Sequence, residues 1–210
     1  ALAIRCLGFL AARSSAALGA TGHPGVALTA GRAMGRTMAS TGIALDRAPV
    51  VDVNVDPTTP AICALGRSFS SDPAVVASMA EAEIRGLHES GVRATIKHFP
   101  GLGSASANTD FDAVDVTDTW TEAELVPFRT LIGTGLADAV MSAHILNRHL
   151  DPDWPASLSP ATIDGLLRTQ LGWNGVVVTD DLDAVAITSQ FERPEAIARA
   201  KAAASPHSPR

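Results

Sequence analysis

The sequence is poor in cysteine and lysine and has no basic cluster, and these absences exclude several classes of protein. Its two cysteines, Cys6 and Cys63, do not have the spacing of a metal-binding motif, and that spacing does not establish a disulfide either. The net charge is −6, and no group of basic residues is present that would neutralise phosphates. We therefore expect no cysteine metal site and no nucleic-acid partner.

Long apolar runs are also missing. Residues 1–20 are rich in alanine, but Arg5 and Arg13 interrupt them and leave an apolar run far shorter than a membrane span. Arg13 lies where a secretory signal peptide has small neutral residues, so we predict no signal peptide and no membrane span. The compartment, cytoplasmic or exported, and the oligomeric state stay open.

What the chain does have is a regular alternation of helical and strand patterns. Apolar residues make up 46% of it, which is enough for a sizeable core, and no linker divides it. We expect a single domain over residues 1–210, with irregular segments at 1–17 and 205–210. Helices are predicted at 24–42, 74–90, 121–135, 160–171 and 194–204, and strands at 43–54, 92–98, 138–144 and 175–182.

Strand–helix alternation of this kind predicts right-handed βαβ units around a parallel sheet, an α/β fold. Each predicted strand carries a polar residue near its carboxyl end: Asp52, His98, His144 and Asp180. Polar groups gathered at one end of the strands are the pattern of a (β/α)8 TIM-like barrel. The sequence contains about half of the eight strands, so we predict an incomplete barrel.

The segment GVVVTDDL at 175–182 is the most informative strand. Its valine run predicts a central strand buried on both faces, with Asp180 and Asp181 at the carboxyl end, where α/β enzymes place their chemistry. An alternative is that one of these carboxylates caps the next helix. The two roles are compatible, one for each residue.

The segment KHFPGLG at 97–103 presents Lys97 and His98 from the end of another strand, before a proline turn. Both side chains donate hydrogen bonds, which suits a neutral ligand rich in hydroxyl groups. The alternative is structural: a lysine paired with a nearby aspartate and a histidine bonded to the backbone.

Taken together, KHFPG, APVVDVN, RSFSSDP, SLSP and GVVVTDDL occur in the order typical of glycoside hydrolase family 3, and the sequence most resembles its β-N-acetylhexosaminidase branch. The resemblance implies a TIM-like barrel, a retaining mechanism, a carbohydrate substrate and no metal or organic cofactor. It assigns Asp180 as the nucleophile and Arg67, Lys97 and His98 as residues that bind the sugar.

Two features depart from the family pattern. In that branch, the loop after KHFPG carries a further histidine and an Asp-Ser-His element whose histidine is the general acid/base. Here Leu102 stands in place of the further histidine, and Asn108 and Asp110 stand in place of the aspartate and the catalytic histidine. Asp110 is therefore the candidate proton donor, with Asp112 as its rival, and the alternative is a polar turn without a catalytic part. The family's early strand, with an aspartate followed by Gln-Glu-Gly-Gly, and its closing apolar strand are missing, so we expect a fragment of a longer barrel.

The leading hypothesis is a retaining exo-β-N-acetylhexosaminidase that hydrolyses terminal β-N-acetylglucosaminides, including those derived from peptidoglycan, through a glycosyl-enzyme on Asp180. The alternatives are a β-glucosidase or β-xylosidase of the same family, or a catalytically inactive barrel fragment. Leu182 after the aspartate doublet resembles the hexosaminidase branch, because glucosidases tend to have an aromatic residue after the nucleophile.

Overall fold

The computed structural model describes residues 13–204, and a parallel sheet organises them. The strands are β1 (Leu45–Asp46), β2 (Arg93–Phe99), β3 (Val114–Asp115), β4 (Ala139–Ser142), β5 (Ile145–Leu146) and β6 (Val176–Thr179). The α-helices are α1 (Ser15–Gly19), α2 (Pro24–Ser40), α3 (Pro73–His88), α4 (Val126–Gly133), α5 (Val185–Thr188) and α6 (Arg193–Ala204). Two 3₁₀ helices, Glu122–Leu125 and Ala156–Leu158, and a π-type helix, Ala161–Gln170, complete the described elements.

The main sheet has four parallel strands in the order β1-β2-β4-β6, and β3 pairs with β5 in a separate parallel ribbon. In the main sheet, Lys97 of β2 lies opposite Met141 of β4, and Met141 lies opposite Val178 of β6. The carboxyl ends of β2, β4 and β6 therefore lie at one edge of the sheet. An isolated parallel bridge between Val50 and Lys97 continues the line of β1 toward the same edge.

Local sequence signals explain the long helices. The Asp72 side chain accepts a hydrogen bond from the Ala74 amide, and Pro73 occupies the first turn of α3, so the helix begins where its free amide groups are satisfied. Helices α2 and α3 approach closely at Gly31, where a Cβ would lie 2.1 Å from the Glu83 carbonyl oxygen. Only glycine fits this contact.

The core fills the space between these helices and the sheet. Phe99 at the end of β2 meets Phe128 of α4 edge to face, with ring centroids 5.3 Å apart. Both rings are fully buried, together with Ile84 and Leu87 of α3 and Ile96 of β2. This packing makes the end of β2, which carries Lys97 and His98, a rigid platform.

Two strand predictions need correction. The predicted strand 43–54 is reduced to β1 and the bridge at Val50, because Pro49 has no amide hydrogen to donate to a ladder. The prediction that the valine strand is central and buried on both faces is wrong for the described residues. There β6 pairs with β4 alone and forms an edge, and Val176 is 59% exposed.

The chain ends also differ in part from expectation. Residues 1–12 and 205–210 lie outside the described part of the chain. The expected irregular start is wrong for residues 15–17, which begin α1 because the Ser14 side chain accepts the Ala17 amide. Among the helices of residues 13–204, none is both long and apolar enough to cross a membrane.

Candidate active site

A buried carboxylate, Asp52, anchors the site although the sequence marked it only as the polar end of a strand. Its Oδ2 atom lies 2.7 Å from His98 Nδ1, and its Oδ1 atom accepts the backbone amides of His98 and Leu102 at 3.1 and 2.8 Å. Burial acts to raise the pKa of Asp52, but the hydrogen bonds from the His98 ring and from the His98 and Leu102 amides lower it overall. The ionised Asp52 therefore fixes the His98 ring.

The other ring nitrogen of His98 faces two predicted site residues. His98 Nε2 lies 3.4 Å from Arg67 Nη2 and 3.8 Å from Asp180 Oδ2. Because a guanidinium only donates, Nε2 is the acceptor toward Arg67, which agrees with a proton on Nδ1 facing Asp52. Arg67 is itself held by a 2.7 Å hydrogen bond from Nη1 to the Ala61 carbonyl oxygen. The structure thus brings Arg67, His98 and Asp180 together.

Lys97 belongs to the same group of charges. Burial and the charge of Arg67 lower the pKa of the Lys97 ammonium, while the charges of Asp180, Asp46 and Asp52 act in the opposite direction. The ammonium therefore lies between a cation and several carboxylates. A polar ligand at this strand edge would meet a row of donors beside the Asp180 carboxylate.

The Asp180–Asp181 doublet divides between two environments. The Asp180 amide donates to the Ser142 carbonyl oxygen at 3.1 Å, which continues the β4–β6 ladder by one residue and directs this residue along the strand end. Asp181 is exposed, and its Oδ1 atom accepts the Asp183 amide at 2.9 Å. The helix-cap alternative is wrong, because Ala184 is the N-cap of α5 and no side chain caps that helix. Asp181 instead stabilises the turn before it.

Asp110, the candidate proton donor, lies outside the buried group. Its side chain is exposed, and Asn108 Oδ1 accepts its amide at 2.9 Å. Two backbone hydrogen bonds fasten the loop to the segment after Asp180: Val185 donates to the Asp110 carbonyl oxygen and Ala186 donates to that of Thr109, at 3.3 and 3.1 Å. The loop therefore borders the site. Asp112 is also exposed, and its side chain accepts the Ala113 amide at 2.8 Å.

Glu124 stabilises the KHFPGLG turn at 97–103, and it was not predicted from the sequence. Its Oε2 atom accepts the Gly103 amide at 2.9 Å, and burial raises its pKa to about 7. Gly101, with φ of 126°, passes so close that a Cβ there would lie 2.6 Å from the Glu124 Cβ. The glycine in KHFPG is the sequence signal for this close approach. Within residues 13–204, no cluster of three or more His, Cys, Asp or Glu residues could hold a metal ion.

Parallel strands with charged and imidazole side chains at their carboxyl ends are the arrangement of active sites in α/β enzymes, TIM-like barrels among them. The comparison with known families makes this specific. The glycosyl hydrolase family 3 N-terminal domain matches residues 11–204, and the chain belongs to this family. The predictions of the family and of an incomplete TIM-like barrel are confirmed, and the described part of the chain covers only part of that domain.

Known relatives narrow the resemblance further. A protein named beta-hexosaminidase from Stenotrophomonas maltophilia is 41% identical over 157 residues, which are 73% of this chain and 45% of that protein. The structure of a family 3 beta-N-acetylglucosaminidase from a Paenibacillus species superposes with a TM-score of 0.88 and 36% identity, covering 93% of this chain and 38% of that one. A beta-N-acetylhexosaminidase from Beutenbergia cavernae has the same TM-score and identity, covering 93% and 59%. The chain spans at most about half the length of the curated relatives it matches.

Proposed function

We propose that this chain carries the nucleophile and sugar-binding part of a retaining exo-β-N-acetylhexosaminidase that hydrolyses terminal β-N-acetylglucosaminides, including fragments derived from peptidoglycan. The observation that carries the proposal is the approach of Asp180 Oδ2 to within 3.8 Å of His98 Nε2 at the strand ends. The names of the relatives support the substrate class. We also propose that residues 1–210 form a single domain.

In this mechanism, Asp180 attacks the anomeric carbon of the sugar and the bond to the leaving group breaks. The product is a glycosyl ester on Asp180, which water then hydrolyses, so that the configuration is retained. The Asp180 carboxylate stabilises the positive charge that develops on the sugar ring, while Arg67 and Lys97 lie beside it as hydrogen-bond donors for sugar hydroxyl groups. A strand end backed by a packed core gives the carboxylate a fixed direction.

Arg67, Lys97 and His98 would hold the sugar hydroxyl groups. The Arg67 guanidinium offers a planar pair of donors to two neighbouring oxygens. His98 has its Nδ1 side fixed by Asp52, so its Nε2 side is the one left to face a sugar hydroxyl. The three side chains come from two segments, which meet at the contact between Arg67 and His98. The sugar would bind without metal or cofactor.

Asp110 is the proposed general acid/base, in place of the histidine that the family branch uses. It would protonate the leaving oxygen and later activate water, and this requires its carboxyl group to lie about 5 Å from that of Asp180 in the substrate complex. The loop is fastened beside Asp180 through its backbone, which supports the assignment. The exposure of the Asp110 side chain favours the second candidate, a site that binds the sugar without hydrolysing it.

The test compares chromogenic N-acetyl-β-glucosaminide, β-glucoside and β-xyloside as substrates of the wild-type chain and of Asp180→Asn. We expect the N-acetylglucosaminide to be hydrolysed faster than the other two substrates, and kcat to fall by roughly 10³-fold or more in the variant. Asp118→Asn, which alters an exposed carboxylate, is the matched control and should leave turnover unchanged. Hydrolysis that survives in Asp180→Asn would overturn the proposal, and binding of N-acetylglucosamine without turnover would select the second candidate.

A further inference from the structure

His144 is a buried histidine at the end of β4 that the proposed mechanism does not use. Its side chain is almost inaccessible, and both ring nitrogens are engaged: Nδ1 lies 2.7 Å from Ser157 Oγ, and Nε2 lies 2.9 Å from the Asp181 carbonyl oxygen. A carbonyl oxygen only accepts, so the proton is on Nε2, and Nδ1 of the neutral ring accepts from the Ser157 hydroxyl. Burial lowers the pKa of His144, which agrees with the neutral ring.

The segment that His144 holds is the one that carries Asp180. Asp181, whose carbonyl oxygen His144 binds, directly follows Asp180. The Asp180 amide donates to the carbonyl oxygen of Ser142, two residues before His144. The residues at the end of β4 therefore hold this segment at two points. Ser142 accepts the Asp180 amide, and the His144 ring donates to the Asp181 carbonyl oxygen.

Ser157 holds the His144 ring in place. Its amide donates to the Ala143 carbonyl oxygen at 3.0 Å, and its hydroxyl reaches the neighbouring His144 ring. Ser157 is itself almost completely buried. Ser157 therefore fixes the orientation of the His144 ring, because Ser157 is itself bound to Ala143, the residue before His144.

We infer that His144 is a positioning residue that aims the Asp180 carboxylate at the His98–Arg67 pair by holding the Asp181 carbonyl. It does not contact the sugar in this scheme. The inference rests on the proposed function in that it takes Asp180 as the nucleophile. The physical reason is that the Asp181 carbonyl oxygen has two donors, the His144 ring and the Ala184 amide at 3.0 Å, and that only the ring ties it to the end of β4. Removal of the ring keeps the local bond to Ala184 but removes this tie between strand ends, so the 180–182 segment is free to shift. A nucleophile has to be held within about 0.5 Å of its productive position.

The test uses His144→Ala, His144→Gln and Ser157→Ala, with His88→Ala as the matched control. His88 also makes a 2.7 Å side-chain hydrogen bond, to Asp138, but this pair lies at the opposite end of the strands. We expect His144→Ala to lower kcat by about 10- to 100-fold with little change in KM, as for other residues that orient an active group. His144→Gln, whose amide donates at a similar reach, should recover part of the loss, Ser157→Ala should lose less, and His88→Ala should leave kcat unchanged.

A crystal structure of His144→Ala provides the readout that does not depend on turnover. We expect displacement of residues 180–182 and an Asp180 Oδ2 to His98 Nε2 distance longer than 3.8 Å. An unmoved segment would overturn the inference, as would a kcat loss no greater than that of His88→Ala in an active enzyme. If the wild-type chain hydrolyses none of the glycosides, the proposed function fails, and the crystal structure still decides the role of His144.

Discussion

The buried group at the strand ends and the exposed loop beside it are organised in opposite ways. Asp52 and His98 are buried, and side-chain contacts join them to the half-buried Arg67 and Asp180. The loop at 108–112 is fastened to the Asp180 segment through backbone atoms and presents the Asp110 and Asp112 side chains to solvent. The first arrangement fixes the directions of its side chains before a ligand arrives, whereas the second leaves its carboxylates exposed to solvent.

This difference matches the division of labour in the proposed chemistry. A nucleophile and the donors that hold a sugar gain from a fixed geometry, since misplacement directly reduces the reaction rate. A general acid/base has to reach a leaving group of variable size and exchange protons with water. The comparison predicts that substitutions in the buried group change the free energy of unfolding, while those in the loop change activity alone.

The largest effect on stability is expected for Asp52→Ala. It leaves His98 and the Leu102 amide without their common buried partner, and removal of one partner from a buried pair costs about 3–5 kcal/mol. Denaturant unfolding at neutral pH would measure this loss. Asp118→Ala, at an exposed aspartate, is the control and should stay near wild type. A small loss for Asp52→Ala would break the contrast between the two regions.

Glu124→Gln should change how stability depends on pH. The pKa of Glu124 is about 7 in the folded chain against 4.5 for the unperturbed group, so its ionisation opposes folding. The favourable contribution is complete below pH 4.5 and is lost as the pH rises through 7, a span of roughly 3 kcal/mol.

The variant should remove that part of the pH dependence, because a neutral amide oxygen still accepts the Gly103 amide. Unfolding free energies at pH 5 and pH 8 for wild type, Glu124→Gln and the exposed neighbour Glu122→Gln provide the measurement. Parallel curves for wild type and Glu124→Gln would show that this carboxyl group does not titrate in the folded chain as described.

The smallest effect on stability is expected for Asp110→Asn, within about 0.5 kcal/mol of wild type, because the side chain is exposed. Its effect on turnover should nevertheless be about 10²-fold or more, the contribution of a general acid/base. Asp112→Asn is the matched control, on the same loop, and should retain turnover. Equal activity of the two variants would remove Asp110 from the mechanism and make the loop a polar turn without a catalytic part.

The sequence predicted those parts of the site that follow from local pattern. Strand–helix alternation located the ends of β2 and β6, and with them Lys97, His98 and Asp180. It could not show that Asp52 pairs with His98, because the two lie 46 positions apart and the contact depends on the sheet register. Glu124 and His144 act through partners 21 and 37 positions away, for the same reason.

The valine strand shows a different limit. Three consecutive valines predict burial on both faces, but burial depends on the neighbours that the fold supplies. In the described residues β6 has a neighbour on one side only, and Val176 is largely exposed. The alternation of the chain therefore identified the strand, while its place in the sheet depended on tertiary structure.

The central claim, that Asp180 becomes covalently attached to the sugar, is tested most directly by mass spectrometry. The chain would be incubated with a slowly deglycosylated N-acetylglucosaminide, quenched and digested. We expect an added sugar on the peptide that contains Asp180, absent from the Asp180→Asn variant. Hydrolysis without any adduct on that peptide, or an adduct on Asp110 instead, would contradict it.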